Sequence, residues 1–295
     1  MTTSSRTAAN LYALAAIGLW ASLATLGASL AHVPPFLLTG LGLLAGSLIA
    51  LPLARFDPRR LAVPWRTLGI GVYGLFGYHF LLFTALRLAP PVEANLVNYL
   101  WPLGIVLMAP LILPGVRLGP AHVLAALAGF AGAAIAILGR APSGMPVADA
   151  AGGHAALGYA CAAGAAFIWS SYSLLTKRLA MTGRGFPTAA IGGFGLVSGV
   201  LALACHALLE PAVSLSARDV LLIAVLALGP LGGAFFLWDR ALKLGDARQI
   251  GVLSYLTPLL STLLLLWASG RPLSGNVALA TALILGAAVL GTRAR

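Results

Sequence analysis

The sequence predicts an all-α membrane protein with ten transmembrane helices, arranged as two five-helix repeats of inverted topology. Three observations predict this fold. The 295 residues are 60% hydrophobic and only 8% charged, with a mean hydropathy of +0.97, whereas soluble domains carry about 25% charged residues. Apolar runs of ~20 residues, each long enough to cross a hydrocarbon core as a helix, recur along the whole chain. Two short sequence blocks also recur at one constant offset.

Ten apolar segments separated by short breaks are the expected membrane helices. Breaks such as Pro34-Pro35 and Gly183-Arg184-Gly185 carry turn-forming residues. The longest break, 140–154, is expected to link the halves, so the two repeats are predicted at 1–143 and 150–295. The predicted spans are 10–31, 34–54, 66–88, 91–113 and 119–139 in the first half, and 155–178, 187–208, 218–243, 247–269 and 273–292 in the second.

The first segment has two interpretations. Arg6, an apolar stretch and Ser29-Leu30-Ala31 resemble a cleaved signal peptide. Trp20 and the spaced small polar residues of this stretch favour a retained helix instead, and the repeat described below needs the segment as its first helix. We therefore expect a retained helix.

Basic residues divide unequally between the two sides of the predicted helices. Fourteen fall on one side and four on the other, and the side rich in Lys and Arg is normally cytoplasmic. Both termini are therefore expected in the cytoplasm. The net charge of +11 does not indicate nucleic acid as a partner, because the charges lie in short loops rather than on one patch. The four residues on the poorer side are Arg87, Arg140, Arg218 and Arg271.

An internal repeat supports the division into halves. Ala85-Leu-Arg-Leu-Ala89 matches Ala241-Leu-Lys-Leu-Gly245, and Asn98-Tyr-Leu-Trp-Pro102 matches Ser254-Tyr-Leu-Thr-Pro258, both at an offset of 156 residues. Because a five-helix unit has an odd number of crossings, the second copy must enter the membrane from the opposite side. Inverted repeats are typical of transporters, whose substrate site lies near the midplane between the halves.

This layout resembles the drug/metabolite transporter superfamily, whose halves are called EamA domains. The resemblance covers the whole chain, and Asn98–Pro102 and Ser254–Pro258 are similar to the family's fourth-helix and ninth-helix blocks. The aromatic residues around Tyr78-His79 and Tyr99-Leu100-Trp101 resemble those of the YddG-type aromatic amino acid exporters of bacteria. Neutral-solute exporters of the superfamily share much of this pattern.

The resemblance implies a multi-pass protein of the bacterial inner membrane that exports small neutral or zwitterionic solutes. Aromatic amino acids are the first choice of substrate, moved by alternating access through a central cavity between the repeats. Other amphipathic metabolites or drugs are the alternative. We expect a monomer without a cofactor or metal, and we leave proton coupling open.

His79 is the one ionisable residue predicted to lie near the middle of a span. Such groups are costly in a membrane and are functional candidates. His79 is therefore expected to bind polar atoms of the substrate or to take a proton. The alternative is a neutral imidazole that only joins two helices.

Prolines and aromatic residues mark the rest of the predicted site. Pro102 and Pro258 lie inside the fourth and ninth helices, where each is expected to kink its helix and to free the carbonyl of Asn98 or Ser254 as an acceptor. Ordinary packing kinks are the alternative. Trp and Tyr normally lie at the membrane interface, so mid-span aromatics predict the walls of a wet cavity, with helix packing as the alternative. These aromatics are Trp20, Tyr78, Tyr99, Trp101, Trp169 and Tyr255.

Other function classes are disfavoured by what the sequence lacks. A carrier of phosphorylated solutes needs deep cations, and no Lys or Arg lies deep in the predicted spans. No Walker-type loop is present for ATP-driven transport. An intramembrane enzyme is a minor alternative, since His79 has no evident catalytic partner in the sequence. Trp238, Asp239 and Arg240 are expected to form an interfacial anchor with a solvated ion pair.

Overall fold

The computed structural model describes residues 3–138, 154–269 and 275–293. Helices joined by short loops make up these ranges, with no strand in them. We group the helices of the described ranges into ten segments, α1 to α10. Their bounds are α1 Thr3–Ala21 with Leu23–Ser29, α2 Pro35–Ser47 with Ala50–Leu53, α3 Trp65–Val72 with Tyr73–Gly77 and Tyr78–Leu88, α4 Pro91–Asn98 with Trp101–Ile112, and α5 Pro120–Leu138. They continue with α6 Ala155–Met181, α7 Ala190–Leu209, α8 Ala217–Leu228 with Gly229–Gly233 and Ala234–Leu244, α9 Ala247–Leu253 with Leu256–Ser269, and α10 Gly275–Arg293.

Eight of these segments are long and apolar enough to cross a membrane, within the ranges that the structure describes. The other two are α6, which is 27 residues long, and the interrupted α9. Large apolar side chains cover much of the outer surface, among them Leu111 and Leu208 at more than 80% exposure. An exterior of this kind needs an apolar solvent, so the fold is that of a multi-pass membrane protein.

The segments pack in pairs that join the two halves of the chain. α1 packs on α8, α2 on α7, α3 on α6, α4 on α9 and α5 on α10. Small residues also let α2 approach α8 closely. A Cβ placed on Gly46 of α2 would lie 2.7 Å from the Cα of Gly232 in α8. The packed core is therefore shared by both halves rather than formed within each.

The internal repeat extends to irregular backbone that the sequence did not reveal. α3 contains a π-helical turn at Tyr73–Gly77, and α8 contains one at Gly229–Gly233, again 156 residues apart. α4 is interrupted after Asn98 and α9 after Leu253, just before Pro102 and Pro258. π-turns inside helices are frequent at functional sites, and here they recur in both copies.

Pro102 and Pro258 were expected to leave the carbonyls of Asn98 and Ser254 free as hydrogen-bond acceptors, and the structure contradicts this for one of the two. The carbonyl of Ser254 accepts a hydrogen bond from the Thr257 N–H at 3.0 Å, so that expectation is wrong for Ser254. The chain tightens into a turn at the break in α9 and pairs the group locally, because a short turn can supply a donor three residues later.

The two ends of the bundle are distinguished by their charged contacts. Arg87 donates to Glu210 at one end, which we call the Arg87 end, and Lys243 pairs with Asp239 at the other, the Lys243 end. Asn10 of α1 accepts a hydrogen bond from Gln249 of α9 at the Lys243 end. Gly291 of α10 packs on Val252 of α9. The N-terminal end of α1 and the C-terminal end of α10 therefore both lie at the Lys243 end.

Candidate functional site

A cavity of about 460 Å³ lies between the two halves of the chain. Its volume falls in the range of small-molecule sites, roughly 300 to 1,000 Å³. It occupies the part of the bundle toward the Arg87 end. Its wall consists of Trp20, Leu23 and Gly27 of α1, Leu38 and Thr39 of α2, Tyr78, His79, Leu82, Phe83 and Leu86 of α3, and Asn95, Asn98, Tyr99 and Trp101 of α4. It is completed by Ile137 of α5, Trp169 of α6, Leu226, Pro230, Leu231 and Phe235 of α8, and Thr257, Pro258 and Ser261 of α9.

Four indole rings close the cavity toward the Lys243 end, and we call them the tryptophan cluster: Trp20, Trp101, Trp169 and Trp238. The centroids of Trp20 and Trp169 are 5.7 Å apart with edge-to-face rings, and those of Trp101 and Trp238 are 5.6 Å apart. Each half of the chain supplies two of these rings. Aromatic pairs at this spacing are worth more than their buried area alone, so the cluster joins the halves at the floor of the cavity.

His79 lies on the wall with one ring nitrogen already engaged. Its Nδ1 is 2.6 Å from the carbonyl oxygen of Leu75, in the π-helical turn of α3. The side chain is buried, and it contacts the rings of Tyr78 and Phe235. The π-helical turn in α8 also offers a carbonyl oxygen to a side chain of the wall, because the Trp20 indole N–H donates to the carbonyl of Pro230 at 3.2 Å. Each π-turn thus fixes a side chain of the cavity wall.

Asn98 and Tyr78 form a second polar group on the wall. The Asn98 amide nitrogen donates to the Tyr78 hydroxyl at 3.2 Å. The Asn98 side-chain oxygen is buried and has no hydrogen-bond partner within the described ranges. Buried polar atoms without partners are rare in native structures, and Asn98 is one of the residues that line the cavity.

Comparison with known proteins places the chain in a family. The EamA-like transporter family matches residues 7–138 and again residues 156–293. The chain belongs to the EamA-like transporter family. It is 44% identical over 291 residues to the aromatic amino acid exporter YddG of Ancylobacter novellus, with 98% of each chain covered. A solved crystal structure that is 44% identical superposes with a TM-score of 0.88, covering 97% of this chain and 98% of the other.

Most of the predicted site residues of this EamA-like transporter lie together on the cavity wall. His79, Tyr78, Asn98, Tyr99, Trp101 and Trp169 all line it, and so does Pro258. Ser254, Tyr255 and Pro102 do not. The Ser254 hydroxyl donates to the carbonyl of Ile250, and Tyr255 is fully buried.

Tyr255 of the transporter packs on a neighbouring helix rather than on the cavity. A Cβ placed on Gly129 of α5 would overlap the Tyr255 ring, and the cluster around this ring includes Ala133, Leu259 and Ile284. The reason is the break in α9, which changes the direction of the side chains that follow it. Thr257, Pro258 and Ser261 face the cavity as a result.

Sequence reasoning missed the contribution of α8. Phe235 lies on the cavity wall and contacts both Trp20 and Trp169. The repeat offset of 156 residues relates Phe235 to His79, so the periodicity that located the two blocks also pointed to this position. No sequence pattern marks four other residues of the wall, because single apolar or hydroxyl residues are common in membrane helices. These are Phe83, Thr39, Pro230 and Leu231.

The expectation for Trp238 and Asp239 is wrong. Trp238 is 1% exposed and donates its indole N–H to Ser173 at 3.1 Å. Asp239 is 3% exposed, and its carboxylate pairs with Lys243 at 2.6 Å instead of forming a solvated pair with Arg240. One helical turn separates Asp239 from Lys243, which places both on one face of α8. This face is turned into the protein rather than toward the membrane interface.

Proposed function

We propose that this transporter exports aromatic amino acids by alternating access. The observation that carries the proposal is the cavity between the halves, with Trp20, Trp101, Trp169, Tyr78 and Phe235 on its wall. Flat aromatic walls suit a flat aromatic solute. Support also comes from the 44% identity, over 98% of both chains, to a protein named as an aromatic amino acid exporter.

The architecture proposed for this function is ten membrane helices in two inverted repeats, residues 1–143 and 150–295. α6 and α9 then cross the membrane along with the eight apolar segments. Three observations support it. The N-terminal end of α1 and the C-terminal end of α10 both lie at the Lys243 end, and the π-turns recur at the repeat offset. The helix pairs are also symmetric, because α2, α4 and α5 pack on their counterparts α7, α9 and α10, while α1–α8 and α3–α6 are exchanged by the repeat. The two ends of the chain can lie on the same side of the membrane only if the number of crossings is even.

We assign the Lys243 end to the cytoplasm of a bacterial inner membrane, with both termini there. This is the side that carries fourteen of the eighteen Lys and Arg residues. The cavity then lies in the half of the protein that faces away from the cytoplasm, as in an outward-facing state of the cycle. The Lys243 end is shut by the tryptophan cluster and by the bond between Asn10 and Gln249.

Roles for the site residues follow from this placement. His79, Tyr78 and Asn98 bind the polar end of the substrate, while Tyr99, Trp101 and Trp169 contact its ring. Pro102 and Pro258 act as hinges beside the interrupted parts of α4 and α9. We assign Ser254 and Tyr255 to the support of the α9 break, since neither lines the cavity.

The decisive experiment is a flux assay with the purified monomer in proteoliposomes. Labelled tryptophan, tyrosine and phenylalanine are expected to cross without chemical change, and an imposed pH gradient tests whether protons are coupled. His79→Ala and Trp101→Ala are expected to reduce the flux, whereas the exposed His154→Ala and Trp65→Ala serve as matched controls. Normal flux in both cavity variants would contradict the assignment of the site.

A further inference from the structure

The hydrogen bond to Leu75 fixes the tautomer of His79. A carbonyl oxygen only accepts hydrogen bonds, so the Nδ1 that lies 2.6 Å from it must carry the proton. A neutral imidazole has one N–H, which leaves Nε2 without a proton. Nε2 is on the opposite edge of the ring, and no residue in the described ranges donates to it. His79 therefore presents a hydrogen-bond acceptor on the wall of the cavity.

The other features of the wall also favour a donor or a cation in the ligand. None of the described side chains on the cavity wall is Asp, Glu, Lys or Arg, so a carboxylate there meets no cationic partner. The Asn98 oxygen is a second acceptor without a partner. The faces of Trp101, Trp169 and Phe235 are electron-rich and attract ammonium groups.

We propose that the cavity recognises the ammonium end of its substrate and that the carboxylate is dispensable, so that arylalkyl primary amines are a further ligand class. This inference rests on the proposed function, because it concerns the same cavity. His79 Nε2 accepts an N–H bond from the ammonium group, and the buried Asn98 oxygen accepts another once its side chain turns toward the ligand. The rings of Trp101 and Trp169 on the cavity wall hold the aromatic ring. Tyr78 lies between the two acceptors, in contact with both.

The test is competition against labelled phenylalanine counterflow in proteoliposomes, with three compounds that differ from phenylalanine at one end. 2-Phenylethylamine lacks the carboxylate, 3-phenylpropanoate lacks the ammonium, and N,N,N-trimethyl-2-phenylethylammonium keeps the charge but has no N–H. The amine is expected to compete within about threefold of phenylalanine. The acid and the trimethylated compound are each expected to be about tenfold weaker than the amine, because hydrogen bonds from a charged donor are lost.

A pair of variants identifies the acceptor. His79→Asn keeps an N–H where Nδ1 donates to Leu75 but has no atom at the Nε2 position. It is expected to weaken competition by the amine about tenfold, with the acid unaffected. Asn98→Leu, which removes the other acceptor, is expected to act in the same direction.

Each outcome bears on a different claim. Absence of phenylalanine counterflow in the unmodified protein contradicts the proposed function itself. Counterflow in which the acid competes as well as the amine overturns the ammonium inference and leaves the proposed function standing. Amine competition that survives both His79→Asn and Asn98→Leu, with counterflow intact, overturns the assignment of the acceptors.

Discussion

Glu210 and Arg87 form an ion pair that joins the two halves of the chain at the Arg87 end, with 2.7 Å between the carboxylate and the guanidinium. The Glu210 side chain is fully buried at the end of α7. It also accepts from the backbone N–H groups of Phe36 and Leu37 and lies 3.0 Å from Nδ1 of His206. One carboxylate therefore holds the start of α2, the end of α3 and the end of α7 together.

Replacing Glu210 with Gln is expected to destabilise the protein. The amide has one acceptor oxygen for several donors and carries no charge, so buried N–H groups lose their partner. We expect the free energy of unfolding to fall by about 1–3 kcal/mol. The midpoint of thermal unfolding in detergent measures the effect. Glu93→Gln is the control, because this similar change lies at the start of α4, where no ion pair to Glu93 is found among the described residues. Equal shifts in the two variants would contradict the role given to Glu210.

Trp169 is predicted to contribute to substrate binding through its ring. It contacts Trp20, Trp101 and Trp238 and lines the cavity. Trp169→Ala is expected to reduce phenylalanine flux about tenfold, since it removes aromatic contact area worth more than 1 kcal/mol. Trp169→Phe should retain part of the flux. Trp267→Ala, at a residue that is 83% exposed, should leave the flux unchanged; a similar loss there points to a general defect of the membrane protein.

The close approach of α2 and α8 is predicted to depend on Gly46. A Cβ at this position would lie 2.7 Å from the Cα of Gly232 and 2.8 Å from the carbonyl oxygen of Ala227. Because these are backbone atoms, they cannot rotate away, and Gly46→Ala is expected to cost about 1–3 kcal/mol of stability. Gly286→Ala meets no atom within 4 Å and should be neutral or stabilising by up to about 1 kcal/mol. Chemical unfolding in detergent separates the two, and a harmless Gly46→Ala refutes the packing argument.

The buried pair of Lys243 and Asp239 is predicted to show strong coupling in a double-mutant cycle. Lys243→Met leaves a carboxylate that is 3% exposed, and among the described residues the Thr188 hydroxyl is then its one side-chain donor. We expect the single change to lower the free energy of unfolding by about 3 kcal/mol. The double variant Lys243→Met with Asp239→Leu should lose less than half of this, because no charge is left without a partner. Additive effects would show that the pair is not coupled.

The outline of the bundle was accessible from the sequence because lipid imposes a simple rule. A segment that crosses the membrane must be apolar over ~20 residues and must pair its own backbone groups. The predicted span 66–88 accordingly differs by one residue from the observed Trp65–Leu88. The predicted span 119–139 begins one residue before the observed Pro120–Leu138, and its last residue lies outside the described ranges.

Part of the cavity could be predicted from the sequence, because some of its residues are types that are rare in the middle of a membrane span. His79 and the mid-span Trp101 and Trp169 are costly or unusual at that depth, and all three line the cavity. Tyr255 breaks the same rule but is buried against α5. Depth in the membrane follows from position along a helix, whereas the direction of a side chain around the helix also depends on local backbone geometry.

The sequence by itself determined the helical class, the bounds of most segments to within about three residues and the repeat at an offset of 156 residues, although α1 begins at Thr3 rather than at the predicted residue 10. Tertiary structure decided which faces of the helices meet. The break after Leu253 turned Tyr255 away from the cavity, and the π-turn at Tyr73–Gly77 placed the Leu75 carbonyl against His79. Such departures from regular helix are stable only where neighbouring helices or side chains pair the displaced backbone groups, and those neighbours are distant in sequence.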